Sequence, residues 1–163
     1  MTSFEIGTGY IPGIIGRVTE LHGRYYQKNW GFGPFFETKV ASELSGFLDR
    51  YDAERDALFY VTENDRVEGS IIIDGIQGEE KGAHLRWFIA SSAIRSRGAG
   101  RCLMEKAMIF CHRRQYPKIY LWTFEGLTAA RSLYKQAGFT LTRQQEGVQW
   151  GTRVNEQLWE AYL

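Results

Sequence analysis

The sequence predicts an α/β (α+β) fold, a mixed central sheet of about six to seven strands flanked by about four helices. Three observations carry this. Two early segments place apolar residues at helical spacing, from Ile14 to Tyr25 and from Phe36 to Phe47. From Ala57 the apolar period shortens to that of strands. Beyond His84, β-rich runs alternate with helical ones, so the order reads helix, helix, then β-β-β-α-β-α-β-β. At 163 residues, with no repeat, low-complexity tract or long linker, the chain is expected to be one domain over residues 1–163.

A short strand is expected around Phe4 to Gly7, after which Pro12 sits where a first-turn proline is tolerated. Ile14, Val18, Leu21 and Tyr25 mark the first helix, and "NWGFGPFF" breaks it with two glycines and a proline. Phe36, Val40, Leu44 and Phe47 mark the second, which ends before "DRYDAERD". "ALFYVT", the turn "ENDR" and "VEGSIIIDG" read as a hairpin, and "HLRWFIA" follows "GEEKGA" as a third strand. From Gly100 to Arg114, Leu103, Ala107, Phe110 and Cys111 share a helical face. "KIYLWTF" has the β-formers of a central strand. Ala130, Leu133, Tyr134 and Ala137 mark a last helix with Gly138 as its stop, and "FTLTRQ" and "NEQLWEAYL" close the sheet.

Charge and composition exclude more than they select. Lys and Arg number 20 against 19 Asp and Glu, so no global basicity points to nucleic acid or to an anionic membrane. No apolar run approaches the roughly 18 residues of a membrane span. The start, "MTSFEIGTGYIPG", lacks the pattern of a signal peptide, and a cytoplasmic protein is expected. Cys102 and Cys111 lie on opposite sides of one predicted helix and read as reduced thiols. His22, His84 and His112 have no ligand spacing, so no metal is expected.

The informative stretch is "LRWFIASSAIRSRGAGRCLMEKAMIFC", in which a strand-like run enters a loop with arginines and glycines and leaves as a helix. A helix start presents unpaired N–H donors and the positive end of the macrodipole. Glycines let an anion approach the backbone, and arginines at 95, 97 and 101 add charge. A plain helix-start turn with solvated arginines is the ordinary alternative. A P-loop would need a Lys-Ser/Thr pair where Arg101-Cys102 stands, and a dinucleotide fingerprint a small residue where Leu103 stands.

Arg95 to Gly100 matches the Arg/Gln-x-x-Gly-x-Gly/Ala signature, and "AARSLYKQAGF" matches a second one, an alanine-bearing helix ending in Leu-Tyr-x-x-x-Gly-Phe. With the element order, these resemble the GCN5-related N-acetyltransferase (GNAT) superfamily. "HGRYYQKNWGFGPFFETKVASELSGFL" and "VNEQLWEAYL" look like the GNAT domains fused behind winged-helix regulators, without the regulator. The resemblance implies a GNAT-like fold and acetyl-CoA as donor, with no metal. Its diphosphate would rest on the loop Arg95, Ser96, Arg97, Gly98, Ala99, Gly100 and Arg101, and its pantetheine arm along the main chain of Phe88, Ile89 and Ala90. Where many members have an asparagine that contacts CoA, this chain has Leu127.

Tyr134 matches the family's tyrosine and is the candidate general acid at the CoA sulfur; its ordinary reading is a packed amphipathic ring. For the base there are two candidates, His84 on the fourth strand and Glu125 just past the fifth, each with an ordinary reading as a solvated residue. An amine of low pKa would need neither. Tyr25, Tyr26, Trp30, Phe32 and Trp150 are expected either to wall an acceptor pocket or to be plain core, with Glu37 placed to attract a cation. The expected partner is a small-molecule or protein amine, and the resemblance also allows a homodimer. Two rivals stand beside the enzyme: a CoA-binding sensor without turnover, and an interaction domain with no acyl-CoA affinity.

Overall fold

The computed structural model describes residues 4–163. The elements follow the expected order, with β1 (Glu5–Thr8), α1 (Ile14–Trp30), α2 (Pro34–Asp49), β2 (Ala57–Glu63), β3 (Arg66–Asp74) and β4 (Ala83–Ala90). Then come α3 (Ala99–Arg113), β5 (Lys118–Phe124), α4 (Thr128–Gln136), β6 (Thr140–Gly147) and β7 (Val154–Tyr162). All seven strands form one sheet in the order β1-β2-β3-β4-β5-β7-β6. Every neighbouring pair is antiparallel except β4 with β5.

The start of α1 differs from the sequence reading. Pro12 lies in a turn outside α1, because Gly13 takes a left-handed conformation at φ 88° and the helix starts after it. Pro34 is the proline that opens a helix, where its missing N–H would have no partner anyway.

The sheet carries a core on each face. Leu103, Met104 and Ala107 of α3 pack with Ile71, Ile73 and Leu85 on one side. Ile14, Val18, Leu44 and Phe47 of the first two helices pack with Leu58, Ile72 and Trp87 on the other. The run Ile71-Ile72-Ile73 feeds both cores by alternation, which is why it is apolar throughout. Among the described residues, no helix is long and apolar enough to cross a membrane.

Two features of β4 position the site. It pairs with β5 only at Ala83–Ile119 and His84–Tyr120, so the parallel strands part from Leu85 onward. On its other edge, Trp87 and Phe88 together oppose Ile71, a bulge in which Trp87 takes φ 47° and Ser70 Oγ donates to Trp87 O at 2.7 Å. The extra residue sends Trp87 to the α1–α2 side and Phe88 to the α3–α4 side.

Candidate functional site

The split between β4 and β5 opens on both sides. The larger cleft, about 610 Å³, runs from the end of β4 past the Arg95–Arg101 loop to α4. The smaller, about 210 Å³, lies toward α1 and α2. Tyr26, Phe88, Leu127 and Tyr134 line both, so the two spaces meet at those side chains.

The loop of the larger cleft leads into an uncapped helix start. The bonds of α3 begin with Cys102 N–H donating to Gly98 C=O at 3.0 Å, which leaves the N–H groups of Ala99, Gly100 and Arg101 without helical acceptors. No side chain caps this end, and its first turn contains no acid to compete for the amides. The two glycines are needed for different reasons. Gly98 has φ 83°, where a side chain would be strained, while a Cβ on Gly100 would lie 3.0 Å from Leu133 Cδ1. Gly100 therefore brings α3 close to α4 as well as keeping the backbone bare.

The expected loop residues are not all gathered. Phe88, Ile89, Ala90, Arg95, Ser96, Gly98, Gly100, Arg101 and Leu127 line the cleft with Tyr134. Ala99 is buried in the core instead, so only its main chain bears on the loop surface. The Arg97 side chain turns toward β2, donating to Glu63 at 2.6 Å and to Ala93 O at 3.1 Å. Arg95 spans the cleft differently: its guanidinium donates to Ala90 O at 2.8 Å and lies 4.8 Å from the Tyr25 ring centre. Arg95 and Arg101 are thus the loop cations on this cleft, and the Arg97 amide is taken as well, donating to Ile94 O at 3.3 Å.

Tyr134 is buried, its ring packed on Phe88, Phe139 and Trp159. Burial raises the pKa of its phenol, so the hydroxyl keeps its proton at neutral pH. Tyr26 is raised too, by burial first and then by Tyr134 beside it.

The two expected bases stand apart. His84 lines the smaller pocket but lies at its closed end, stacked on Tyr120 at 4.5 Å. Burial, then the charge of Arg86, push its pKa down to about 3. Glu125 is exposed beyond β5 and lines neither space; its carboxylate accepts from Asn155 Nδ2 at 3.0 Å.

The pocket toward α1 and α2 only partly follows the expected aromatic set. Tyr26 and Trp150 line it, whereas Phe32 is core and Tyr25 faces the larger cleft. Trp30 packs edge-on against Phe124 behind the wall. Glu37 lies against Gly23, and the carboxylate in the pocket is that of Glu43, 3.2 Å from both Lys39 and Arg86. Sequence reading also missed His22, whose ring lines the pocket from α1. A buried polar residue on the apolar stripe of α1 was the one available signal.

The sheet is thus split between two parallel strands, with an uncapped helix start on one side of the split and a second pocket on the other. The family model described as Acetyltransferase (GNAT) family matches residues 15–139, and the chain belongs to that family. Among solved structures, it is similar to yncA of Salmonella typhimurium, assigned as an acetyltransferase and solved with its cofactor acetyl-CoA. That match has a TM-score of 0.77 at 16% identity, covering 99% of this chain and 95% of the other. It is also similar to the ribosomal-protein-S18-alanine N-acetyltransferase of Escherichia coli, with TM-score 0.69, 17% identity, and 98% and 93% of the two chains covered. An acetyltransferase of Streptococcus agalactiae matches with TM-score 0.73 and 19% identity over 100% of both chains. Among curated proteins, no sequence matches significantly.

Proposed function

We propose that this chain transfers an acetyl group from acetyl-CoA to a primary amine, directly, with donor and acceptor bound together. The observation that carries the reading is the junction of two clefts at Tyr134, where β4 and β5 part. In this reading the amides of residues 98–101, with Arg95 and Arg101, hold the diphosphate. The main chain of Phe88, Ile89 and Ala90 lines the path of the pantetheine arm, since no strand pairs with that edge of β4. Leu127, at the N-cap of α4, gives an apolar contact where many relatives have an amide.

Acetyl-CoA, when bound, supplies an acyl group activated as a thioester. The chain's own task is to orient the amine, keep water out and manage protons. Tyr134, held protonated by burial, donates to the departing sulfur. An amide at the Ile89–Ala90 end of β4 polarises the carbonyl oxygen. The free thiols Cys102 and Cys111 suit a reducing compartment, so a cytoplasmic location belongs to the same proposal.

The rival is a CoA sensor without turnover, favoured by the pinned Glu125 and the low basicity of His84. Two measurements separate the readings. Thermal stabilisation by acetyl-CoA but not by ATP or NAD establishes the donor cleft. Thiol release that depends on an added amine then marks an enzyme; stabilisation without release marks a sensor.

A further inference from the structure

We propose that His22 takes the proton from the incoming amine, through Nε2, in the pocket between α1, α2 and the split sheet. The proposal rests on the transferase reading above and names the base that reading leaves open.

The geometry begins with the tautomer. His22 Nδ1 lies 2.8 Å from Val18 O, one turn earlier on α1. A carbonyl only accepts, so Nδ1 carries the hydrogen and Nε2 of the neutral ring carries a lone pair. The residue is 5% exposed and is part of the pocket lining. It stacks on Tyr26 with centroids 6.1 Å apart and planes 14° apart, and Tyr26 lines both clefts. One ring therefore separates His22 from the junction where Tyr134 stands.

Charged groups bear on His84 and not on His22. Arg86 follows His84 by two residues and its charge opposes a proton on that imidazole, while Asp74 works the other way. For His22, burial is the cause that lowers the pKa, to about 4, and the Val18 carbonyl works the other way by stabilising the imidazolium. Glu43 and Lys39 face the same space from α2 and Arg86 faces it from β4, with Glu43 shared between the two cations.

The step balances within the pocket. An N–H bond of the ammonium breaks, the electron pair stays on the amine nitrogen, and the proton bonds to Nε2. The imidazolium later returns that proton to water. One positive charge is present before and after, so the burial that disfavours a charged imidazole disfavours the charged amine as well.

The test uses 2-phenylethylamine, an ammonium with an aromatic body suited to walls of Tyr26, Phe36, Trp87 and Trp150. Beside it goes hydroxylamine, which is already unprotonated at neutral pH. The variants His22→Gln and His22→Phe are first checked for thermal stabilisation by acetyl-CoA; its absence in the native chain defeats the transferase reading itself. We expect a loss of about a hundredfold in kcat/KM with 2-phenylethylamine and a much smaller loss with hydroxylamine. Independently of turnover, the ¹⁵N resonances of the native chain should report an Nδ1–H tautomer for His22. Adding the amine should shift its Nε2 signal. Equal losses with both nucleophiles, unchanged transfer to 2-phenylethylamine, or an Nε2 signal that the amine does not move overturns the assignment while leaving the family reading intact.

Discussion

His84 and Tyr120 form the last pair that β4 and β5 share, their rings stacked with centroids 4.5 Å apart and planes 16° apart. One residue later the strands separate. The stacked rings close the apex of the split, and the imidazole is spent on packing there, beside Arg86. A residue expected as a base thus holds the cleft's closed end in place.

This burial has a consequence for acid stability. His84 and His22 have folded pKa values near 3 and 4, below the ordinary 6.5. Between those values and 6.5 the unfolded chain binds more protons than the folded one, so stability falls as pH falls through that window. Denaturant midpoints between pH 7 and pH 4 should show it. His84→Phe should flatten the slope by up to about 1.4 kcal/mol per pH unit; an unchanged slope would mean the imidazole is not buried neutral.

Gly98 tests the loop. Its φ of 83° strains any other residue, so Gly98→Ala should cost about 1–2 kcal/mol in urea unfolding. The displaced amides should also shrink the rise in melting temperature produced by acetyl-CoA. A variant stabilised by acetyl-CoA as strongly as the native chain would show that the loop backbone does not hold the donor.

Tyr134→Phe removes one hydroxyl at the meeting of the clefts and keeps the ring contacts with Phe88, Phe139 and Trp159. Stabilisation by acetyl-CoA should persist. Amine-dependent thiol release should fall by roughly 10²–10⁴-fold, the usual contribution of a positioned acid. Full turnover in this variant would remove the acid assignment.

Asp74 is a different kind of residue, 4% exposed, and it receives both Arg50, at 2.6 Å, and Arg86, at 3.6 Å. Burial alone would raise its pKa, but the hydrogen bonds from Arg50 and the Ile76 amide outweigh it and hold the carboxyl low. Asp74→Ala removes the anion that Arg50 and Arg86 share, leaves Arg86 with Glu43 alone, and should cost about 1–3 kcal/mol, read from chemical denaturation. Replacing the exposed Glu146, whose partner Arg153 is also exposed, should change stability by less than about 1 kcal/mol.

The order of elements and the glycine-bearing start of α3 were legible in local chemistry. Period, β-branching and glycine placement act over a few residues, so "KIYLWTF" and "RSRGAG" announce a strand and a bare helix start by themselves. The pocket toward α1 and α2 was much less legible. Glu37 and Glu43 are equally plausible on the helix they share, and only the crossing of α2 over β4 brings Glu43 to Arg86 and leaves Glu37 against Gly23. The same holds for the arginines of the loop, alike in sequence, of which Arg97 is drawn to Glu63 across the sheet.

What the sequence alone determined, then, is the family, the succession of helices and strands, and a glycine-bearing start to α3. The tertiary structure decided where β4 leaves β5, which rings line both clefts, and that His22 of α1 joins the pocket toward α1 and α2. The reason is physical: a helix or a turn is set by neighbours along the chain. A bulge at Trp87, a split sheet and the burial of His22 depend on segments far apart in sequence packing against one another.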